Sequence, residues 1–276
     1  MLLSLKISIA IGASMVAALP LALPCGTCGA PLPGEPELVT IAPRPFEYRE
    51  AGEFTRRGRP VDAPVVSTAG RIPVTLMRRQ VTAAEYEQCV REQGCPPTPQ
   101  DNASDYDRPV VKVSWHDASA YASWLSRKTG RNYRLPTDSE WVFAAGTRFV
   151  DDSVGAENIV TANESVDPSK RWLARYETES KRDNFDKELK PVGAFGSNEH
   201  GLADMAGNVW EWTNTCYRRV ALEAAAASSA TTINCGVRVV AGRHRSYMSD
   251  FIRDPRSGGC AVGVPPANLG FRLVRD

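Results

Sequence analysis

Helical periodicity in this sequence is confined to three short segments in its middle. Thr82–Glu85 has the spacing of a capping box, in which the threonine hydroxyl accepts from the third helical N–H and the glutamate reaches back. The apolar run at residues 109–114 predicts a short strand. Ser114 then caps a second helical segment, with apolar residues at helical spacing, that stops at Gly130. Thr137–Glu140 is another capping box and opens a third segment. Beyond these helices, short apolar runs between turn residues predict irregular β structure to the end of the chain.

The first 22 residues differ in character from the rest. A single charge, Lys6, precedes an apolar run from residue 7 to residue 19, which is the pattern of a secretory signal peptide at residues 1–22. Residues 23–36 contain several prolines and glycines and predict a linker, so we expect one domain at residues 37–276. We therefore expect a periplasmic or secreted protein with no membrane association beyond the signal peptide. A retained N-terminal anchor and lipidation at Cys25 are the alternatives.

Seven cysteines become interpretable once export is assumed, because an oxidising compartment favours disulfides. Cys89 and Cys95 would close a very short loop, and Cys216 and Cys235 a longer one, although sequence alone does not fix the connectivity. An odd count leaves at least one thiol free. Residues 25–28 read Cys-Gly-Thr-Cys, a CxxC motif, but they have no βαβ context. We therefore interpret the motif as a local disulfide or a processed stub and not as a redox centre.

The balance of charge excludes one large class of function. Lys and Arg number 33 against 32 Asp and Glu, a net charge of +1, so the chain lacks the basic footprint of a nucleic-acid-binding protein. The 3 histidines are scattered along the sequence and form no paired metal-binding motif. A His-rich catalytic zinc or iron site is therefore not expected.

Three segments occur in a distinctive order. Residues 109–141 contain Pro-Val-Val-Lys-Val-Ser-Trp-His-Asp-Ala and Tyr-Arg-Leu-Pro-Thr-Asp-Ser-Glu-Trp, residues 201–213 contain Gly-Asn-Val-Trp-Glu-Trp, and residues 268–272 read Asn-Leu-Gly-Phe-Arg. Together they resemble the formylglycine-generating enzyme family, also called sulfatase-modifying factors. The resemblance extends from about residue 37 to the C-terminus. It implies an α+β domain with the C-type-lectin-like fold of that family, little regular secondary structure and bound Ca²⁺.

Oxygen ligands for calcium are concentrated in the second of these segments. Asn208 and Glu211 are three residues apart with the carbonyl of Val209 between them, and hard oxygens in an irregular loop are what Ca²⁺ prefers. The resemblance also implies a calcium ion here and a second in the preceding long loop, where Asn163 is the candidate ligand. We therefore expect structural Ca²⁺. The alternative is a loop in which the asparagine forms a turn and Glu211 a salt bridge.

The resemblance does not extend to the family's catalytic cysteines. Competent members oxidise a substrate cysteine to formylglycine with two cysteines that bind copper(I), a metal that prefers soft thiolate ligands. In this chain the corresponding residues 238–256 contain no cysteine in either possible register, and the nearest thiol is Cys260. Copper is therefore not expected. If the chain is an enzyme, it is an oxidoreductase of the formylglycine-generating type with a non-standard site, for which His244, Tyr247 and Cys260 are the catalytic candidates.

Polar and cationic side chains are frequent between residues 243 and 256. Because arginine recognises carboxylates through paired N–H groups, such a cluster favours an anionic or peptide ligand. The ligand-binding residues we predict are Arg243, His244, Arg245, Tyr247, Arg253 and Arg256. The alternative is a salt-bridged surface loop.

These observations predict an exported sulfatase-modifying-factor-like protein without the catalytic cysteine pair. It would be a calcium-stabilised binding or accessory protein of the bacterial-type periplasm, a monomer that binds a peptide or protein ligand of the envelope. The alternative is an oxidoreductase-like maturation enzyme acting on a peptide or protein substrate. Such an enzyme would be an oxidase of the formylglycine-generating type or a periplasmic siderophore-peptide oxidase.

Overall fold

The computed structural model describes residues 35–70, 72–99, 106–149, 188–222, 231–257 and 268–276. The predicted signal peptide, Cys25, Cys28, the calcium candidate Asn163 and the thiol of Cys260 lie outside these residues. Within them, the helices are α1 (Ala83–Arg91), α2 (Trp115–Thr129) and α3 (Asp138–Ala145). None of the helices in this part of the chain combines the length and apolar character needed to cross a bilayer.

The strands are short except for two that form a long ribbon. They are β1 (Leu38–Ile41), β2 (Phe46–Arg49), β3 (Glu53–Arg56), β4 (Arg59–Val61), β5 (Val65–Thr68), β6 (Val74–Met77), β7 (Tyr133–Arg134), β8 (Trp210–Ala221), β9 (Thr231–Ala241), β10 (Arg245–Ser249), β11 (Leu269–Gly270) and β12 (Val274–Arg275). Short 3₁₀ turns follow α3 at Gly146–Arg148 and β10 at Pro255–Ser257.

Three sheets organise the strands. The first has the order β1-β6-β12-β7, so the C-terminal strand lies between early strands of the domain. The second has the order β10-β9-β8-β3-β4, with β11 parallel to the start of β8, and the third pairs β2 with β5. The mixed helices and sheets, joined by much irregular chain, confirm the predicted α+β class.

All three predicted helix starts are present as complete capping boxes. At Thr82–Glu85, Ser114–Asp117 and Thr137–Glu140, the first side chain accepts from the N3 backbone and the N3 carboxylate accepts from the cap backbone. Each N-cap contributes about 1 kcal/mol to helix stability. The second helix ends as predicted at Gly130, which has a φ of 67° and therefore takes the left-handed conformation that glycine adopts without strain.

A predicted strand at residues 109–114 is wrong. Pro109 makes one isolated bridge with Thr82, and the residues after it are irregular. Lys112 has a φ of 57°, which is outside the extended region and ends any continuous pairing. The segment instead leads Ser114 into the cap of α2.

The apolar core has two parts, separated by the six-stranded sheet. One lies against α1 and α2 and contains the fully buried Trp212 and Phe271. The other lies against α3 and contains the fully buried Trp141. Because residues alternate between the two faces of a strand, the neighbouring residues Val240 and Ala241 of β9 enter different parts of the core.

Both disulfide pairings considered from the sequence are present. Cys89–Cys95 closes the end of α1, and Cys216–Cys235 links β8 to β9. The second disulfide lies where the β8–β9 pairing is irregular, between Trp212 and Tyr217. Beyond this irregularity, β3 pairs in parallel with the outer part of β8.

Candidate functional site

Glu211 is a fully buried acceptor at the centre of the molecule. Its Oε2 accepts from Arg272 Nε at 2.7 Å and from Trp141 Nε1 at 2.9 Å. Its Oε1 accepts from Arg272 Nη2 at 2.7 Å and from Gln80 Nε2 at 2.8 Å. Glu211 and Arg272 are both 0% exposed. The arrangement is the salt bridge that the sequence left open as the alternative to calcium.

The Asn208 side chain forms its hydrogen bonds with the backbone of Lys190, in a different part of the chain. Its Oδ1 accepts from the backbone N–H of Lys190 at 3.0 Å, and its Nδ2 donates to the Lys190 carbonyl at 2.8 Å. Its φ of 62° is in the left-handed region, which asparagine tolerates better than most residues. The side chain therefore fastens the segment at residue 190 to the loop before β8.

The described members of the predicted calcium site do not fit the ion as they are placed. Asn208 has both amide atoms engaged with Lys190, and Glu211 has both oxygens engaged by two or more donors. Arg272 already supplies the positive charge that Glu211 needs, so a cation at this carboxylate would displace an internal ion pair. Val209 is 2% exposed, and its backbone N–H donates to the Gly207 carbonyl.

Two residues that bind to this loop or belong to it, Gln80 and Asp204, were not predicted from the sequence. Gln80 Nε2 lies 3.2 Å from the Gly207 carbonyl and 3.4 Å from the Asp204 carbonyl, in addition to its bond with Glu211. The Asp204 carboxylate accepts from the backbone N–H groups of Gly193 and Phe195. Gln80 follows two arginines and precedes a single valine, so its neighbours in sequence carry no signal that identifies it.

The predicted ligand-binding cluster is split by the alternation of β10. Ser246 and Met248 point toward the part of the core beside α2, and both are 1% exposed or less. Tyr247 points to the other face, where its hydroxyl accepts from Gly52 N at 2.7 Å. Burial raises the pKa of Tyr247. Tyr247 is half-buried and holds the backbone at Gly52, and its role as a ligand-binding or catalytic residue stays a prediction.

Arg245 is also on the face opposite Ser246. It forms a two-bond ion pair with Asp138, at 2.7 and 2.9 Å, and its guanidinium lies over the rings of Tyr48 and Phe149. Burial raises the pKa of Asp138, and the Arg245 guanidinium opposes that rise. The pair fixes the start of α3 to β10, and the role of Arg245 in ligand binding stays a prediction.

Two further predicted arginines are paired locally. Arg253 donates to Asp117 at the N-terminus of α2, at 2.8 Å, and Arg256 pairs with Asp254 two residues earlier. These ion pairs match the alternative of a salt-bridged surface loop. The remaining predicted residue, Arg243, is half-buried, and this burial lowers its pKa.

One predicted residue, His244, does lie on a face with unused polar groups. Its ring contacts Trp210 edge-on with 5.4 Å between centroids, and Trp210 Nε1 donates to the His244 carbonyl. Farther along the same face, the Arg238 guanidinium stacks on Trp115 at 4.0 Å. Ser246 lies between these two pairs. We call Trp115, Trp210, Arg238, His244 and Ser246 the candidate ligand face.

Buried polar atoms without hydrogen-bond partners are concentrated on this face. Among the described residues, such atoms are Trp115 Nε1, Arg238 Nε, His244 Nε2, Ser246 Oγ and the distant Gln80 Oε1. Native proteins leave few buried polar atoms unpaired, since each costs about 1–3 kcal/mol, and such atoms mark sites of water, ions or ligands. Indole and guanidinium N–H groups only donate, and hydroxyl and imidazole can donate, so the face favours a ligand rich in acceptors.

Copper(I) finds no pair of free thiols in the described residues. All four described cysteines are tied in Cys89–Cys95 and Cys216–Cys235. The described residues of region 238–256, where the resemblance would require the pair, contain none. The soft donor in this region is the thioether of Met248, which is 0% exposed in the core, and the other donors there, of arginine, histidine, serine and tyrosine, do not suit a soft metal.

Comparison with known proteins places these features in a family. A family model described as the sulfatase-modifying factor enzyme 1-like domain matches residues 30–276. The mouse protein named inactive C-alpha-formylglycine-generating enzyme 2 is 38% identical over 111 residues, 40% of this chain and 33% of the mouse protein. The formylglycine-generating enzyme of Mycobacterium tuberculosis is 31% identical over 196 residues, 64% of this chain and 60% of that enzyme.

These matches span less than two thirds of either relative, and one relative is named active and the other inactive. Among solved structures, PvdO from Pseudomonas aeruginosa is 21% identical with a TM-score of 0.52, covering 88% of this chain and 95% of that chain. At this identity the similarity concerns the fold alone. The family match covers most of the sequence, and the fold is the α+β, C-type-lectin-like one. The chain belongs to the sulfatase-modifying factor enzyme 1-like domain family.

Proposed function

We propose that this chain is an exported binding protein that uses the family fold to hold an acceptor-rich peptide or protein segment of the cell envelope, as a monomer. The observation that carries the proposal is the candidate ligand face, where four buried polar atoms lack partners. Two tryptophans flank these atoms, and indole rings supply rigid contact area to peptide ligands.

The chemistry of the face selects the class of ligand. Trp115 Nε1 and Arg238 Nε can only donate, and Arg238 also carries a positive charge. Main-chain carbonyls and carboxylates are the acceptors that such donors bind, and a charged acceptor forms the stronger bonds. We therefore infer that an acidic peptide is preferred over a neutral or basic one.

Two observations support export. The N-terminal 22 residues have signal-peptide character. The two disulfides belong to the chemistry of oxidising compartments, where such bonds persist. We assign no metal to the ligand face, and we assign the stabilisation of the loop before β8 to Arg272 and Gln80.

Binding is tested by titrating the full chain with two pools of end-capped hexapeptides, one rich in Asp and Glu and one rich in Lys. Tryptophan fluorescence reports on Trp115 and Trp210. The acidic pool should give a saturable change that is lost in His244→Ala and Arg238→Met. A matched control, Arg219→Met, removes an exposed arginine from the outer ribbon and should retain binding. Equal responses to both pools would contradict the assignment.

A second candidate function is oxidation of a cysteine in a peptide substrate. It is favoured by the relatives named formylglycine-generating enzyme and by the sequence position of Cys260 near the matching region. It requires oxygen uptake with a cysteine-containing peptide. Loss of that uptake in Cys260→Ala would support this function over simple binding.

A further inference from the structure

Cys216 and Cys235 form a disulfide in an environment unlike that of Cys89–Cys95. Cys235 is exposed and Cys216 is half-buried, whereas Cys89 is 0% and Cys95 8% exposed. The pairing of β8 with β9 shifts register on both sides of Cys216, so the ladder is irregular where the disulfide lies. The bond is therefore open to attack from solvent at the Cys235 sulfur.

A cation lies against the other sulfur. Arg238 Nη1 is 3.3 Å from Cys216 Sγ and 3.0 Å from the Asn214 carbonyl. Arg238 Nε has no hydrogen-bond partner, and the ion pairs of the described residues do not include this arginine. Burial lowers the pKa of Arg238, and the negative charge of Asp250 opposes this shift.

We propose that Cys216–Cys235 is a reactive disulfide that exchanges with external thiols, with Cys216 as the leaving sulfur. An external thiolate attacks Cys235 Sγ, the S–S bond breaks, and the electron pair stays on Cys216 as a thiolate beside Arg238. The product is a mixed disulfide on Cys235. A second external thiolate attacks the external sulfur of that disulfide and releases Cys235, so two external thiols are oxidised to one disulfide as the protein disulfide is reduced.

The chemistry follows from the charge at Cys216. A thiol that leaves as a thiolate leaves faster when its pKa is lower, and an adjacent guanidinium lowers that pKa. The thiolate would also give Arg238 the anionic partner it lacks in the oxidised state. Asp250, which pairs with His116 at 3.2 Å, also acts electrostatically on this arginine, and its negative charge would disfavour the Cys216 thiolate.

Reduction would release the ribbon next to the candidate ligand face. The disulfide joins β8 to β9 at the irregular part of their ladder, and Arg238 connects it to Trp115. This reactivity is independent of which ligand the face binds, since it concerns the disulfide itself.

The test is native-state reduction of the full chain by glutathione, followed by alkylation and peptide mass mapping at successive times. Cys216–Cys235 should be reduced at least about tenfold faster than Cys89–Cys95, which serves as the internal control. At early times glutathione should be found on Cys235 and the alkylating label on Cys216. Equal rates for the two disulfides, or glutathione mainly on Cys216, would overturn the proposal.

Two variants separate the effect of charge from that of structure. Arg238→Met should slow reduction several-fold and raise the pH at which Cys216 is alkylated, while Arg238→Lys keeps the charge and should restore part of the rate. Arg219→Met, on the same ribbon but paired with Glu53, should react like the native chain. If Arg238→Met fails to fold, the location of glutathione in the native chain still decides between Cys216 and Cys235 as leaving sulfur.

Discussion

Arg272 and Glu211 form a buried ion pair that joins the end of the chain to the start of β8. Two bonds of 2.7 Å connect them, and the side chains are 0% and 1% exposed. Arg272 also donates to the carbonyls of Arg78 and Ala203. The pair therefore ties three separate segments together.

Breaking this pair should cost more than any surface substitution. Arg272→Met leaves a buried carboxylate without its counter-charge, so we expect a loss of roughly 3–5 kcal/mol in the free energy of unfolding, measured in urea. Adding Glu211→Gln should recover part of the loss because no buried charge remains. Arg219→Met is the control, since its side chain is 63% exposed and its partner Glu53 is 40% exposed, and should cost less than about 1 kcal/mol. A small loss in Arg272→Met would contradict this description of the centre.

Asn208 is expected to stabilise the fold without calcium. Asn208→Ala removes both bonds to Lys190 and puts alanine at a φ of 62°, so it should lower stability by about 1–3 kcal/mol. Asn208→Gly is the matched control, because it loses the same bonds without the backbone strain. Melting curves with added Ca²⁺ and with EDTA should shift by the same amount in the native chain and in Asn208→Ala. A calcium shift that disappears with Asn208→Ala would restore this residue as a metal ligand.

Glu140 should contribute a pH-dependent share of stability. Burial raises its pKa, but hydrogen bonds from Arg134 and Thr137 lower the pKa by more, so the folded value is below the ordinary one. The contribution is therefore present above the unfolded pKa of about 4.3 and is lost as the pH falls through the folded value.

Glu140→Gln should accordingly cost about 1–2 kcal/mol at pH 7 and progressively less toward pH 3, in urea unfolding at each pH. Glu37→Gln, from an exposed pair with Arg78, should change stability little at either pH. If the loss of unfolding free energy in Glu140→Gln grew as the pH fell, the pKa of Glu140 in the folded protein would be raised and not lowered.

We expect the Ser246 hydroxyl to lower the stability of the fold and to contribute to ligand binding. Its hydroxyl is buried without a partner, so Ser246→Ala should leave stability unchanged or raise it by up to about 1 kcal/mol. Thr213→Val is the matched control, because the buried Thr213 hydroxyl donates to the Val239 carbonyl at 2.7 Å and its loss should destabilise the protein. In the peptide titration, Ser246→Ala should bind the acidic pool more weakly. Destabilisation by Ser246→Ala, with unchanged binding, would remove it from the candidate ligand face.

Local features of the fold were predictable from sequence, because their causes lie within a few residues. The capping boxes at Thr82, Ser114 and Thr137 each depend on a residue three positions later, and all three are present. The strand at residues 109–114 failed because the left-handed conformation of Lys112 is not signalled by a lysine.

The site was less predictable because its partners come from distant segments. Glu211 meets Arg272 and Gln80, which are 61 and 131 residues away, so the sequence near residue 208 could not show that these side chains bind its carboxylate. The ligand-binding cluster predicted around His244 was assembled from residues that are neighbours in sequence. Side chains alternate with a period of two along β10, and this alternation places Tyr247 and Ser246 on opposite faces of the strand.

The most direct test of the central claim combines binding with oxygen uptake. The full chain is mixed with an end-capped acidic peptide containing one cysteine, in aerated buffer with supplied copper(I), and both tryptophan fluorescence and dissolved oxygen are followed. We predict saturable binding that requires His244 and Arg238, with oxygen uptake no greater than in a blank of copper and peptide. Oxygen uptake that depends on the protein, with conversion of the peptide thiol to an aldehyde, would contradict the assignment of this chain as a binding protein.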